Sequence, residues 1–299
     1  MRQHRTKRRL AIAGGAIALA TAGCVAAWSA RAAKRQQRLR GGEIRGLQSL
    51  VANVDGLRVH ALASTAPTDR RVAPVVLVHG FGASGTHFVP AAERLAVEFD
   101  IYALDLPGHG RSESPDRPLS IPQQADKLLA WMDTLGLSQV YLVAHSMGCQ
   151  IAVDAAVRYP ERFQRLVLTA PPVDPEARTM LQQAARLLWS GWYERLSLDL
   201  ILLVDYLRRG WRLLPEARFM LRERIEDKLP RVRCPVMLIR GENDIVVPQR
   251  WFDRAASLVR AEQTLVIPRW GHAVQYDAPE QFAEAVARFL RDPIAPPQS

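Results

Sequence analysis

The chain has 299 residues, 48% of them hydrophobic, and a formal net charge of +10, which suits a globular body large enough to bury a sizeable core. The charge is not spread over that body: residues 1–40 carry ten Lys/Arg and no acid, whereas residues 41–299 carry 30 of each sign and are neutral. A neutral body excludes a basic groove for nucleic acid, and three cysteines (Cys24, Cys149 and Cys234) with no metal spacing exclude a disulfide scaffold.

Residues 1–40 read as a membrane segment. Arg2, Arg5, Lys7, Arg8 and Arg9 precede the uncharged run Leu10–Ala30, and Arg31, Lys34, Arg35, Arg38 and Arg40 follow it. As a helix, this run is long enough to cross a hydrocarbon core about 30 Å thick. An uncleaved single-pass anchor over residues 10–30 fits the basic residues on both flanks. The alternatives are secretion after cleavage at Val25-Ala26-Ala27, a lipoprotein signal ending in Cys24, and export through the Arg8-Arg9 pair. The basic cluster straight after the run opposes cleavage, and equal charge on the two flanks leaves orientation open.

Residues 31–46 form a basic, glycine-containing linker. Leu47–Val54 and Leu57–Ser64 then read as a hairpin around Asp55-Gly56. Further apolar runs follow at Val75–His79, Ile101–Leu104, Val140–Ala144, Leu166–Thr169, Val236–Ile239 and Thr264–Ile267. Helical stretches alternate with them at 87–98, 121–136, 147–159, 249–260 and 279–291. Such alternation predicts an α/β domain over residues 41–299, with a mainly parallel sheet and helices on both faces. From Pro171 to Pro230 no strand is predicted. That interval is helical in period and rich in large apolar residues, Trp189, Trp192, Tyr206 and Trp211 among them. An interval of this length between strands is an inserted subdomain, and its apolar content points to a lipophilic pocket or a membrane contact.

The strand Val140–Ala144 ends in His145-Ser146-Met147-Gly148, a small-x-Ser-x-Gly pattern with Ala144 at the first small position. A sharp strand-to-helix turn would expose Ser146 Oγ at the top of a sheet, where helix N-terminal N–H groups can stabilise an oxyanion. A serine nucleophile needs a base, and the base needs a carboxylate to orient it. Asp244 and His272 each lie just past a predicted strand, at the edge where open parallel sheets build sites. Glu242 neighbours Asp244 as a second acid. His79 and His145 adjoin the site and shape its loops, whereas His60, His87 and His109 have no comparable context. Gly80-Phe81-Gly82-Ala83-Ser84-Gly85, with Asp105 beyond, also matches the dinucleotide fingerprint of an NAD-dependent oxidoreductase. That reading leaves Ser146, Asp244 and His272 unexplained.

Five motifs in order carry a resemblance. They are His79-Gly80-Phe81-Gly82, Asp105-Leu106-Pro107-Gly108-His109-Gly110-Arg111-Ser112, Ala144 to Gly148, Gly241 to Asp244, and Gly271-His272. Over residues of about 48–292 the chain resembles the α/β-hydrolase family. The resemblance implies Ser146 as nucleophile, His272 as base and Asp244 as its orienter. It further implies an oxyanion hole from the N–H groups of Phe81 and Met147, and a helical cap at 171–230. The implied activity is hydrolysis of esters of lipophilic acids or alcohols, with no metal or organic cofactor. Amide or carbon–carbon bond hydrolysis, acyl transfer and perhydrolysis use the same constellation. The elbow serine argues against branches with an aspartate nucleophile. Asp105 is expected to stabilise the Gly108–Ser112 loop.

Overall fold

Asp55 and Gly56 both take positive φ, 48° and 82°, the geometry of a two-residue hairpin turn. The turn joins β1 (Leu47–Val54) to β2 (Leu57–Ser64) antiparallel, with Val54 opposite Leu57. The protein is described here by a computed structural model covering residues 46–65 and 72–292. The sequence expectations for Leu10–Ala30 and Cys24 lie outside the described residues. Among the described residues no helix is long and apolar enough to cross a membrane.

From β2 the sheet continues antiparallel to β4 (Ile101–Leu104). All later pairings are parallel, through β3 (Val75–Val78), β5 (Val140–His145), β6 (Phe163–Thr169), β7 (Val236–Gly241) and β8 (Gln263–Ile267). The spatial order is β1-β2-β4-β3-β5-β6-β7-β8. β3 and β5 are buried along their whole length, as strands covered by helices on both faces must be. β5 and β8 each outrun their apolar runs by one residue, β6 and β7 by more. β6 starts at Phe163, which pairs with Val140, and β7 continues to Gly241 because β8 pairs with it there.

The helices are α1 (Val89–Leu95), α2 (Ile121–Thr134), α3 (Met147–Arg158), α4 (Met180–Ser190), α5 (Leu196–Arg209), α6 (Leu213–Arg222), α7 (Ile225–Lys228), α8 (Gln249–Val259), α9 (Val274–Asp277) and α10 (Pro279–Arg291). α1 is shorter than the predicted 87–98 because a 3-10 turn, Gly85–Phe88, precedes it. A capping box between Ser120 and Gln123 starts α2. Trp131 and Trp251 are fully buried; removing a large apolar side chain from water is worth about 1.5–3 kcal/mol. The interval 171–230 is helical, as expected, and supplies α4 to α7.

Asp105, just past β4, ties the loops at the strand ends together. Its carboxylate accepts from the Gly85 N–H (2.7 Å) and the Arg111 N–H (2.9 Å) and meets His60 Nδ1 at 2.8 Å. Its backbone carbonyl accepts from Ser112 Oγ at 2.6 Å, and Ser112 Oγ in turn accepts from the His60 N–H at 2.8 Å. The expected role of Asp105 in the Gly108–Ser112 loop is thus observed, and His60, given no role from sequence, is its partner. Burial alone would raise the Asp105 pKa. The hydrogen bond and charge of His60 and the Arg111 N–H outweigh it and hold the group below its ordinary value. A lowered folded-state pKa stabilises the fold above the unfolded value, and this stability is lost as pH falls through the folded value. Asp105→Ala should therefore cost about 3 kcal/mol at neutral pH. In urea unfolding the gap to the parent chain should narrow with acidification.

Candidate active site

Ser146 stands between β5 and α3 with φ 51° and ψ −125°. Such a backbone costs a non-glycine residue about 1–3 kcal/mol and survives only where neighbours enforce it. The enforcement comes from both sides. The Ser146 N–H donates to Thr169 O at the end of β6 (2.9 Å), and the Cys149 N–H donates to Ser146 O (2.7 Å). A Cβ on Gly148 would lie 2.4 Å from Val78 O at the end of β3, so only glycine lets α3 start this close. Ala144 lies within the buried strand, where its methyl is accommodated. Cys149 is fully buried and its Sγ approaches Thr169 O at 3.2 Å. Burial pushes its pKa well above the ordinary value. Cys234 is half-buried.

The acid and base turns are laced together by backbone. A Cβ on Gly241 would sit 2.1 Å from Gly271 O and 2.3 Å from Trp270 O. The Asn243 N–H donates to Trp270 O and the Glu242 N–H to Ile267 O, each at 2.9 Å. This approach brings Asp244 Oδ2 to 2.9 Å from His272 Nδ1, and His272 Nε2 to 2.9 Å from Ser146 Oγ. The second carboxylate oxygen of Asp244 accepts from the Val247 N–H at 2.9 Å. Glu242, the other candidate acid, instead accepts from the Arg269 N–H at 2.9 Å. The network suits one tautomer: Nδ1–H donates to Asp244, and Nε2 accepts from the serine hydroxyl. Burial alone would lower the His272 pKa. The Asp244 charge and hydrogen bond, with a smaller contribution from Glu194, outweigh it and hold the pKa above its ordinary value.

The neighbouring histidines shape the loops. His145 Nε2 lies 3.1 Å from His272 O, and burial, then the His272 charge, drive its pKa well down. His79 Nδ1 is 2.9 Å from Gly80 O, and Nε2 accepts from the Leu106 N–H at 3.1 Å. A Cβ on Gly80 would lie 2.8 Å from Ser146 Cβ, so the Gly80-Phe81 backbone passes directly beside the serine. Met147 is the first residue of α3, a position whose N–H has no acceptor within the helix. The two N–H groups expected to hold an oxyanion therefore belong to segments that flank Ser146.

Ser146 and His272 line a cavity of about 320 Å³. Phe81 of the body and Leu187, Leu198, Leu202, Tyr206 and Met220 of the insert form much of its wall. Glu194, missed by sequence reasoning, brings a carboxylate to this lining. It accepts a local bond of 2.6 Å from Ser190 Oγ, and nothing in the local pattern placed it beside His272. His87 also lines the cavity. Burial pushes its pKa down to about 4, whereas burial raises Asp205, 3.8 Å away, to about 6. The insert is fastened to the body by His109 to Glu216 (2.8 Å), by Arg209 to Gly108 O and by Arg212 to Pro115 O (2.8 Å), while Arg209 also pairs with Glu216 inside the insert (2.7 Å). His60, His87 and His109 thus each have a partner or place that local sequence context did not show. Trp189 and Trp192, by contrast, face solvent.

The dinucleotide motif has another explanation. The Gly85 N–H is spent on Asp105, and both Asp105 oxygens are engaged within the fold. A Cβ on Gly82 would lie 2.2 Å from Tyr206 Cε1, so the insert covers the loop where a pyrophosphate would sit.

An eight-stranded, mainly parallel sheet carrying serine, acid and histidine past its strand ends is the framework of an α/β hydrolase. The profile of the alpha/beta hydrolase family matches residues 75–285, and the chain belongs to that family. It is 35% identical over 125 residues to the abhydrolase domain-containing protein abhd-5.2 of Caenorhabditis elegans, a match covering 39% of this chain and 28% of that protein. It is 26% identical over 262 residues to the putative carbamate hydrolase RutD of Caulobacter sp. (strain K31), covering 79% of this chain and 96% of that one. Among solved structures, a bacterial membrane phospholipase A superposes with a TM-score of 0.68 at 24% identity. That match covers 93% of this chain and 97% of the other, and it shows likeness of fold.

Proton titration followed by imidazole NMR should place His272 above an ordinary histidine. Asp244→Asn should lower its pKa markedly and Glu194→Gln slightly, because each removes a negative charge that favours the imidazolium. An unmoved His272 titration in Asp244→Asn would contradict this electrostatic account.

Proposed function

We propose that this hydrolase cleaves carboxylic esters of lipophilic acids or alcohols, with Ser146 as nucleophile, His272 as general base and Asp244 as its orienter. One observation carries the reading. A continuous Ser–His–Asp chain, with both links at 2.9 Å, presents Ser146 and His272 to a largely apolar cavity. Ser146 Oγ passes its proton to His272 Nε2 and attacks the ester carbonyl. The N–H groups of Phe81 and Met147 receive the oxyanion. The tetrahedral intermediate collapses, the bond to the alcohol breaks, and His272 Nε2–H protonates the departing oxygen. Water then gives a proton to His272 and attacks the acyl-enzyme. Collapse releases the acid and returns the proton to Ser146. Asp244 stays ionised and stabilises the transient imidazolium. The near full-length likeness to a putative carbamate hydrolase supports a second reading, carbamate cleavage on the same groups. Turnover of an ester and a carbamate with the same alcohol separates the two.

We further propose that residues 1–40 attach the enzyme to a membrane through the run 10–30. The reading is supported by the absence of charge in that run and the basic residues on both of its flanks.

Ser146→Ala should abolish labelling by a fluorophosphonate and reduce ester turnover about a millionfold. Retained labelling would remove Ser146 as the nucleophile. Leu202, half-buried on the cavity wall, tests the lipophilic pocket. Leu202→Trp should shift the kcat/KM optimum toward shorter acyl chains at an unchanged Tm. A uniform loss over all chain lengths, tracking a lower Tm, would mark Leu202 as a packing residue only.

A further inference from the structure

The apolar residues of the cap divide into two sets. One set lines the cavity. The other lies on the surface: Trp192 is 85% exposed, Leu207 74%, Trp211 65% and Trp189 64%, with Leu181, Leu203 and Leu214 also exposed. Soluble proteins seldom gather so many large exposed apolar side chains in one subdomain without a partner.

These side chains are ordered by helix period. Leu181, Ala185 and Trp189 are exposed at intervals of four along α4, and Leu203 and Leu207 are exposed one turn apart on α5. Leu214, Arg218 and Arg222 continue the spacing along α6. Residues so spaced share a helix face. Met180 on α4 and Leu214 on α6 are partly exposed and also line the cavity. Met180 and Leu214 therefore belong to both the surface set and the cavity lining.

Charge selects the occupant. Among the described side chains, Arg208, Arg218 and Arg222 are exposed, whereas the acids Asp205 and Glu216 are buried within the cap–body contacts. Glu194 is half-buried at the cavity. The Arg212 guanidinium lies 5.2 Å from the Trp211 ring, an aromatic–basic pair suited to a headgroup layer. A second copy of this chain would set arginine against arginine across a self-complementary interface. Anionic headgroups would instead neutralise the arginines while the Trp and Leu side chains enter the acyl boundary.

We propose that the exposed face of the cap, built from α4, α5, Trp211 and α6, docks on an anionic phospholipid bilayer, with the Met180–Leu214 rim of the cavity turned to the lipid. The docking is independent of catalysis. The passage of a lipid ester from the bilayer to Ser146 rests on the proposed hydrolase activity.

The full chain carrying Ser146→Ala keeps the two questions separate. It is reconstituted in vesicles of phosphatidylcholine and phosphatidylglycerol whose acyl chains carry bromine, a short-range quencher of tryptophan. Trp131 and Trp251 are fully buried, and Trp28 and the half-buried Trp270 are common to every chain compared. Bromine should quench part of the emission, and most of that part should vanish when Trp189, Trp192 and Trp211 are all replaced by Phe. Quenching should also fall in pure phosphatidylcholine and in a chain with Arg208→Glu, Arg218→Glu and Arg222→Glu. Equal quenching with and without the three tryptophans overturns the proposal, as does a detergent-free dimer in which these tryptophans are shielded from the brominated lipid. Quenching indifferent to charge overturns the anionic assignment. In the active chain, replacing the three tryptophans by Ser should slow cleavage of a vesicle-embedded long-chain ester. Cleavage of a soluble short-chain ester should be unchanged. Equal slowing of both overturns a role for this face in lipid supply.

Discussion

The site depends on how closely three pieces of backbone approach one another beneath Ser146. The serine adopts a positive φ because β3, β5 and β6 end together and α3 must begin against the end of β3. Every other site distance follows from that turn. Oγ is lifted out of the sheet toward His272, and the helix presents its first free N–H on the opposite side. The strain is local and is offset by burial over the whole sheet, since a strand buried on both faces resists any shift in register.

A second backbone approach does for the acid and base what the elbow does for the nucleophile. Gly241 and Gly271 follow neighbouring strands; the bare Cα of Gly241 lets its turn close on the backbone of Trp270 and Gly271, and that of Gly271 leaves room for Tyr193 of the insert. The carboxylate and the imidazole are thereby set at hydrogen-bond distance without depending on long, mobile side chains. This is preorganisation in the physical sense: the orienting charge is in place before substrate arrives, and it raises the affinity of His272 for a proton at the moment of transfer. The surrounding histidines serve the loops rather than the proton. His79 and His145 are kept neutral by burial, so they add no positive charge beside His272.

The cap completes the site in a different way. Its contacts with the body are polar, as at His109–Glu216 and Lys228–Asp154, and apolar, as where Leu198 packs on Ala273 and Tyr276; its contribution to the cavity is mostly apolar, whereas the reacting groups stand at the strand ends of the sheet. Such a division fits a subdomain that fixes the shape and polarity of the entrance while the sheet fixes the chemistry. It also accounts for apolar residues on both sides of the cap helices, one side toward the reacting groups and the other toward the surroundings.

The catalytic candidates and the order of most strands were legible in the chain itself. Ser146, Asp244 and His272 each follow an apolar run that reads as a strand, and the topology of a parallel sheet carries such positions to one edge. The hairpin was legible because Asp-Gly has few other uses between alternating strands. What local pattern did not contain was long-range. Asp105 meets His60 from 45 residues away, Glu194 reaches the cavity from inside the cap, and His109 pairs with Glu216 across the cap–body contact. Nor did periodicity tell which cap aromatics face inward: Tyr206 lines the cavity while Trp189 and Trp192 face solvent. Local propensity and spacing determined the elements and the residues that could react. The packing of distant segments decided which of those residues meet, because burial and hydrogen-bond partners are properties of the assembled fold.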